Sequence, residues 1–211
     1  MHEEISRVML DTLFSIDKDL IASFTQRFEP PVDEPPLAVC PGAHWIRMKR
    51  RDEDLLDGRT WPQSSERDDW QLAYHGTSPE SAFLIADQGL QVGSGFSAGK
   101  MGVYFHRASR LSSCNHYVVW SKLNPSYPAV FGAVIECLVN RNAPDARSVH
   151  GQWWQQTGSI KMTAVHFGIL PLAEVPRFKG KMNIAMKDVG ARAKEIFDSL
   201  TEKKLAAALS K

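Results

Sequence analysis

Apolar residues recur along the first part of the chain at the spacing of an amphipathic helix. Within residues 3–27 they fall on one stripe with charged residues off it, which predicts a helix that packs by its apolar face on the rest of the protein. Four prolines follow that cannot continue a helix, namely Pro30, Pro31, Pro35 and Pro36. Residues 28–43 are therefore predicted to form a proline-rich connector.

The segments after the connector are shorter, and most of them predict strands. The patterns at 44–48, 71–75 and 102–105 favour short strands. Continuous, mostly apolar runs at 130–139 and 165–170 are typical of buried strands. We therefore expect a core that is rich in β-sheet.

Helices are predicted between these strands and after them. Pro79 near its first turn and Gly89 just past its end delimit a short helix over 79–87. The segment 109–120 also fits a helix. A last helix is predicted over 183–209, where apolar residues again fall on one stripe.

The bulk composition is that of an ordinary globular protein. The 211 residues suffice for one domain with extensions and are too few for two full enzyme domains. A net charge of +1 gives no strong field toward nucleic acid or membrane. The three cysteines, Cys40, Cys114 and Cys137, form no CxxC pair, so neither a zinc site nor a disulfide framework is predicted and a reducing compartment fits best.

The amino terminus bears on where the protein acts. It opens with Met1-His2-Glu3-Glu4, which is acidic where a signal peptide would be basic. No apolar run approaches the length of a membrane span. The expectation is a soluble, intracellular monomer, cytoplasmic or nuclear, without a membrane partner.

The residues that carry chemistry are concentrated between positions 74 and 117. One predicted strand ends in Tyr74-His75-Gly76-Thr77-Ser78, a second contains Gly102-Val103-Tyr104-Phe105, and Ser112, Ser113 and Tyr117 follow on a predicted helix. This set resembles the poly(ADP-ribose) polymerase-like branch of the ADP-ribosyltransferases. There a strand ending in His-Gly-Ser or His-Gly-Thr precedes a Gly-x-Tyr-Phe strand and a helix with Ser and a second Tyr. The resemblance covers roughly residues 70–172, and the flanking helices lie outside it.

The resemblance implies that NAD⁺ is the substrate and that no metal is needed. It gives His75 the role of binding a ribose hydroxyl. Gly76 has no Cβ, so its backbone N–H and C=O can approach the nicotinamide carboxamide. Thr77 completes the motif and belongs to the same binding set.

The second half of the motif would surround the nicotinamide ring. Under the resemblance, Tyr104 and Tyr117 flank the ring by stacking. A hydroxyl of Ser112 or Ser113 adds a hydrogen bond to the carboxamide. The interval from Tyr104 to Tyr117 is slightly longer than the usual family spacing.

The sequence departs from the family at the third element, a Glu just before the last core strand. That position falls near Gln152-Trp153-Trp154-Gln155-Gln156, where there is no acid. An amide can hydrogen-bond a ribose hydroxyl, but it cannot act as a general base or place a charge against the developing cation. Gln155 is the expected catalytic stand-in, with Gln152 second. This loss should remove chain elongation before mono-transfer or hydrolysis.

Four other features are predicted to be structural. Glu136 lies mid-strand among apolar residues and is expected to be a hydrogen-bonded carboxylate rather than a catalytic one. The residues of the Cys114–His116 segment do not face one another on a helix, which argues against a Cys/His nucleophile. The basic run at 47–51 is expected to be a solvated surface turn. Three histidines lack ligand spacing, so no metal site is expected; they are His106, His150 and His166.

The fold implied by the resemblance is α+β. It is an ADP-ribosyltransferase-like split β-sandwich of two mostly antiparallel sheets, with the NAD⁺ cleft between them and helices at both termini. The expected domains are residues 1–43 (N-terminal helix and connector), 44–175 (catalytic core) and 176–211 (a C-terminal helical extension packed on the core).

The implied function is mono-ADP-ribosylation of a protein or nucleic-acid acceptor, with release of nicotinamide. Three alternatives stay open. The first is a catalytically inactive module of the same fold that binds NAD⁺, ADP-ribose or a protein. The others are an NAD⁺ glycohydrolase and an RNA 2′-phosphotransferase relative, whose His-Gly-Thr strand is surrounded by arginines.

Overall fold

The computed structural model describes residues 24, 26–34, 37–51, 70–90, 103–122, 128–140, 142–143, 147–149, 152–155, 160–178 and 183–185. Within them, ten strands form one mostly antiparallel sheet. The strands are β1 (Val32–Glu34), β2 (His44–Lys49), β3 (Trp70–Thr77), β4 (Val103–Arg107), β5 (Val119–Ser121), β6 (Ala129–Asn140), β7 (Arg147–Val149), β8 (Gln152–Gln155), β9 (Ile160–Pro171) and β10 (Asn183–Ala185). With the helix α1 (Pro79–Gln88), they make an α+β fold, as predicted.

Helix α1 has the boundary residues that the sequence predicted. Ser78 caps it, because its Oγ accepts the amide of Ser81 at 3.2 Å. Pro79 occupies the first turn, where a missing N–H does no harm. Gly89 ends the helix with a φ of 77°, a conformation that glycine adopts without strain.

The strand order is β1-β2-β9-β6-β3-β4-β8-β7, with β5 paired to β6 and β10 paired in parallel to β5. The long strands β6 and β9 lie at the centre and are buried along most of their length, which confirms the two predicted buried strands. The pairing around β3 is uneven. It runs over eight residues with β6 but over only two register pairs with β4. The sheet is therefore weakly joined at β3 and β4.

Each face of the sheet carries its own apolar cluster, because alternate strand residues point to opposite sides. We call the face under α1 the helix face. Phe83 of α1 stacks there on Phe167 of β9 with ring centroids 5.4 Å apart, and Phe24 packs on Phe83. We call the other face the tryptophan face.

Two tryptophans define the tryptophan face. The rings of Trp45 and Trp120 meet edge to face at 5.8 Å. A Cβ on Gly168 would come within 2.8 Å of Trp120 and 2.9 Å of Trp45. Only glycine at this central position of β9 leaves room for both rings.

The segment 109–120 differs from its prediction. It is a 3₁₀ helix over Ala108–His116, with a non-helical backbone at Arg110, and then the strand β5. The apolar spacing of Leu111, Cys114 and Val118 also suits an α-helix, which explains the wrong prediction. The β-branched residues after Tyr117 favour the strand that forms.

The two flanking segments differ as well. The predicted connector contains β1, which pairs with β2 at the edge of the sheet. At the other end, residues 183–185 form β10 rather than the start of a helix. The rest of that predicted helix lies outside the described residues, as does most of the predicted helix over 3–27. The expected domain boundaries remain predictions.

Candidate functional site

The predicted motif residues lie where β3 and β4 part. The last register pair between these strands is Tyr74 with His106. One residue further along β3, a side chain makes the link between the strands instead of the backbone. The Nδ1 of His75 lies 2.9 Å from the carbonyl oxygen of Tyr104. The structure therefore brings His75 and Tyr104 together through an imidazole that bridges the two strands.

The hydrogen bond to Tyr104 fixes the protonation of the His75 ring. A carbonyl oxygen only accepts, so Nδ1 must carry the proton. Burial lowers the pKa of His75, against a smaller opposite effect of the bond to Tyr104, and the ring is neutral at pH 7. Nε2 then has a lone pair and can accept a hydrogen bond from a hydroxyl. The residue keeps part of its surface exposed, as a binding role requires.

Gly76 is covered by the 3₁₀ helix. A Cβ at this position would come within 2.7 Å of the carbonyl oxygen of Cys114 and 2.9 Å of the amide nitrogen of Val118. The Gly76 amide donates a hydrogen bond to the Cys114 sulfur. The close approach that requires glycine here is thus an approach of the chain's own backbone.

Cys114 is fully buried against Gly76. Burial raises the pKa of its thiol to about 12, so the sulfur stays protonated and is a weak, neutral acceptor. Sequence reasoning considered Cys114 for a zinc site, a disulfide and a Cys/His pair, and missed this packing contact. The available signal was one cysteine, a residue type that is usually buried, in a stretch of Ser, Arg and Asn.

The other residues predicted to surround a nicotinamide are spread along the 3₁₀ helix. Tyr117 follows it with 45% of its surface exposed. Its ring packs on His106, at 5.2 Å between centroids, two residues along β4 from Tyr104. Ser112 is exposed and Ser113 half-buried. Cys114, and neither serine, makes the contact with Gly76 that the structure shows.

The predicted stand-ins for the family Glu lie on β8. This strand pairs with β4, with Gln155 opposite Val103 and Gln152 opposite His106. Both backbones therefore lie beside the strand that carries Tyr104. Neither β4, β8 nor the 3₁₀ helix contains an Asp or Glu.

Glu136 is a buried acid of the sheet and lies opposite Tyr74 in the β3–β6 register. Its Oε1 accepts from Arg47 and from Thr163, each at 2.8 Å, and its Oε2 lies 3.2 Å from Nε2 of His166. It is the hydrogen-bonded carboxylate that the sequence predicted.

These partners determine the charge of Glu136. Burial alone would raise the pKa of Glu136, but the hydrogen bonds from His166, Thr163 and Arg47 and the charge of His166 outweigh it and hold the pKa at about 2. Arg47 lies in β2, so the predicted surface turn over the basic run is wrong. Its pairing with an acid 89 residues away leaves no local signal in the sequence.

Two features are absent from the described residues, a metal-binding cluster and a membrane-spanning helix. No three or more His, Cys, Asp or Glu side chains in this part of the chain are grouped so as to hold a metal ion. No helix within it combines the length and apolar character needed to cross a membrane.

Comparison with known proteins adds little to what this geometry shows about function. No protein-family model matches the sequence, and no curated protein matches it. Among solved structures, the chain is similar to one described as "Crystal structure of the TASOR pseudo-PARP domain", with a TM-score of 0.36 and 12% identity over 77% of this chain and 93% of that one. A likeness this distant says nothing about ligand or activity. The fold and site define the class only as an α+β protein whose sheet opens between β3 and β4, where the His75 side chain bridges the two strands.

Proposed function

We propose that the chain is an ADP-ribosyltransferase-like module that binds the ADP-ribose part of NAD⁺ at His75 and does not transfer it. In this proposal, the parting of β3 and β4 is the division of a split β-sandwich. The strands β1, β2, β9, β6 and β3 form one half, and β4, β8 and β7 form the other. The ligand enters between them, in an intracellular monomer as expected from the sequence.

The contact between Gly76 and Cys114 carries the proposal. The resemblance assigns the Gly76 amide to the nicotinamide carboxamide, but this amide already donates to the Cys114 sulfur. The backbone of the 3₁₀ helix lies against the same glycine. A bound nicotinamide would have to displace buried protein contacts, whereas ADP-ribose has no nicotinamide to place.

His75 supports the binding half of the proposal. Its Nδ1 is engaged by Tyr104, and its neutral ring leaves Nε2 as an acceptor. Ribose hydroxyls are the matching donors. A neutral imidazole held by a backbone bond loses little freedom when a ligand binds, which favours affinity.

The bonded state of Glu136 and the glutamines of β8 support the non-catalytic half. Cleavage of the nicotinamide bond develops positive charge on the ribose, and a carboxylate beside it stabilises that charge. Glu136 is already bonded to Arg47, Thr163 and His166. By the resemblance, the family's acid falls near β8, and this strand has glutamines instead.

The second candidate is mono-ADP-ribosyl transfer, or hydrolysis with water as acceptor. One observation favours it: the register of β8 brings the backbones of Gln155 and Gln152 beside β4. In this candidate the 3₁₀ helix moves away from Gly76 when NAD⁺ binds. Mono-transfer needs no chain elongation and is the activity that the glutamines could still support.

Product analysis separates these functions. The protein is incubated with NAD⁺ labelled in either half, with and without cell extract, and wild type is compared with His75→Ala. We expect neither free nicotinamide nor label on any acceptor. Labelled acceptor together with free nicotinamide would establish transfer, and free ADP-ribose with nicotinamide would establish hydrolysis. Either result, if lost in His75→Ala, contradicts the proposal.

A further inference from the structure

The 3₁₀ helix and the turn after it present a polar surface to solvent. Its exposed side chains combine hydroxyl, guanidinium, imidazole and phenol groups. We call it the 3₁₀ surface; it consists of Ser109, Arg110, Ser112, His116 and Tyr117. Each of these groups can donate a hydrogen bond to an anion, or in the case of Tyr117 also stack on a ring.

The charge of this region differs from that of the whole chain. The chain is nearly neutral, with 25 Lys and Arg against 24 Asp and Glu. The continuous segment 103–122 carries Arg107, Arg110 and Lys122 but no acid at all. None of the ion pairs between described residues involves Arg110, whereas Arg177, also exposed, is paired with Glu174. Of these cations only Arg110 belongs to the 3₁₀ surface, and no acid of its own segment offsets its charge, which suits an anionic partner.

Tyr117 adds an aromatic platform to this surface. Its ring packs on His106, a residue with only 2% exposure, while 45% of the tyrosine surface is exposed to solvent. Three residues earlier, the buried Cys114 anchors the 3₁₀ helix on Gly76. Packing on His106 restrains the ring before any ligand arrives, which reduces the entropy lost when a base stacks on it.

The 3₁₀ surface lies on the other side of the sheet from the His75 ring. His75 contacts Phe105, which belongs to the cluster of the helix face. Tyr117 contacts His106, the next residue of β4, whose side chain points to the opposite face. A ligand can therefore occupy the 3₁₀ surface without touching the His75 imidazole.

We propose that the 3₁₀ surface binds single-stranded nucleic acid. A base stacks on the exposed part of the Tyr117 ring, and Arg110, His116 and the serine hydroxyls contact phosphates, as in other single-strand binding surfaces. The single strand is favoured over a duplex because its bases offer free ring faces. This inference does not depend on the proposed ADP-ribose site.

Fluorescence anisotropy with a labelled uridine oligonucleotide of about 12 nucleotides tests the proposal, with wild type compared to Tyr117→Leu and Arg110→Gln. Tyr117→Leu should weaken binding about tenfold with an unchanged salt dependence. Arg110→Gln should weaken binding and reduce the slope of log affinity against log salt by about 0.7, the value for one phosphate contact on a single strand. Arg177→Gln removes an exposed arginine elsewhere and should bind like wild type.

Several outcomes would overturn the proposal. They are an absence of oligonucleotide binding by wild type at low salt, equal losses in Arg177→Gln and Arg110→Gln, and unchanged binding in Tyr117→Leu. Tighter binding of a duplex of the same length would also contradict it. Loss of oligonucleotide binding in His75→Ala, with full competition by ADP-ribose, would assign the oligonucleotide to the His75 site instead. Circular dichroism checks that each variant is folded.

Discussion

The Nδ1 atom of His75 donates a hydrogen bond to the carbonyl oxygen of Tyr104 at 2.9 Å, one residue beyond the last register pair of β3 and β4. A side chain thereby replaces the backbone ladder at the point where the sheet parts. This arrangement holds the opening between the strands and sets the tautomer of the imidazole. The ring can then offer a ligand only its Nε2 lone pair.

Nitrogen-detected NMR of the histidine rings tests this tautomer directly. We expect His75 to carry its proton on Nδ1 at pH 7 and to titrate below its ordinary pKa of 6.5, because burial disfavours the charged ring. Binding of a hydroxyl ligand should stay constant from neutral to alkaline pH. It should weaken only as the pH falls through the lowered pKa. Titration at or above 6.5, or a proton on Nε2, would contradict the geometry.

Gly76→Ala should destabilise the protein. The new Cβ meets backbone atoms of Cys114 and Val118 at 2.7 and 2.9 Å, and backbone cannot rotate away as a side chain can. Overpacking of this kind costs about 1–3 kcal/mol, measured as the free energy of unfolding in urea. Cys114→Ala in the same chain should not restore stability, because the clash is with backbone. Full rescue by Cys114→Ala would show that the sulfur alone covers Gly76.

Because of Glu136, the free energy of unfolding should change with pH in the acid range. Its pKa is about 2 in the folded protein against 4.5 as the ordinary value. The unfolded chain therefore takes up the proton first, and the stabilisation is complete above pH 4.5 and lost as the pH falls toward 2. It amounts to about 3 kcal/mol. Urea denaturation at neutral pH and at steps below pH 4.5 measures it.

Glu136→Gln is the matching variant. It should be less stable than wild type at neutral pH by about 3 kcal/mol, because Arg47 and His166 lose their common partner. It should also lose most of the acid-dependent change between pH 4.5 and 2. A variant as stable as wild type at neutral pH would show that the network does not stabilise the sheet.

The three cysteines should resist alkylation in the folded protein. All three are buried, and burial raises the pKa of each thiol, so little of the reactive thiolate forms. Treatment with iodoacetamide followed by mass spectrometry should show no modification in buffer and three modifications in denaturant. Native-state labelling of Cys114 at the denatured rate would mean that the 3₁₀ helix does not stay on Gly76.

The parts of the fold predicted from sequence are those fixed by local patterns. The apolar runs of β6 and β9 indicated buried strands, and the boundaries of α1 followed from Pro79 and Gly89. The strands β1 and β10 escaped prediction because each is three residues long and depends on a distant partner. Long-range pairing leaves no periodicity to detect.

The site was predictable in its residues and not in their contacts. The His75 and Tyr104 motifs indicated two strands, and the structure joins these strands through one side chain. The contact of Cys114 with Gly76 depends on a 3₁₀ helix whose apolar spacing also suits an α-helix. The ion pair of Arg47 with Glu136 links strands far apart in sequence, so the basic run suggested a surface turn instead.

Calorimetric titration with ADP-ribose and with NAD⁺ tests the central claim most directly. If Cys114 blocks Gly76 as proposed, wild type should bind ADP-ribose at least as tightly as NAD⁺, because the nicotinamide gains no contact at this glycine. His75→Ala should lose about tenfold in affinity for ADP-ribose, as expected for one hydrogen bond. His44→Ala, a histidine of the same sheet that pairs with Asp33, should bind like wild type. Failure of wild type to bind either ligand, or wild-type affinity in His75→Ala, would contradict the account.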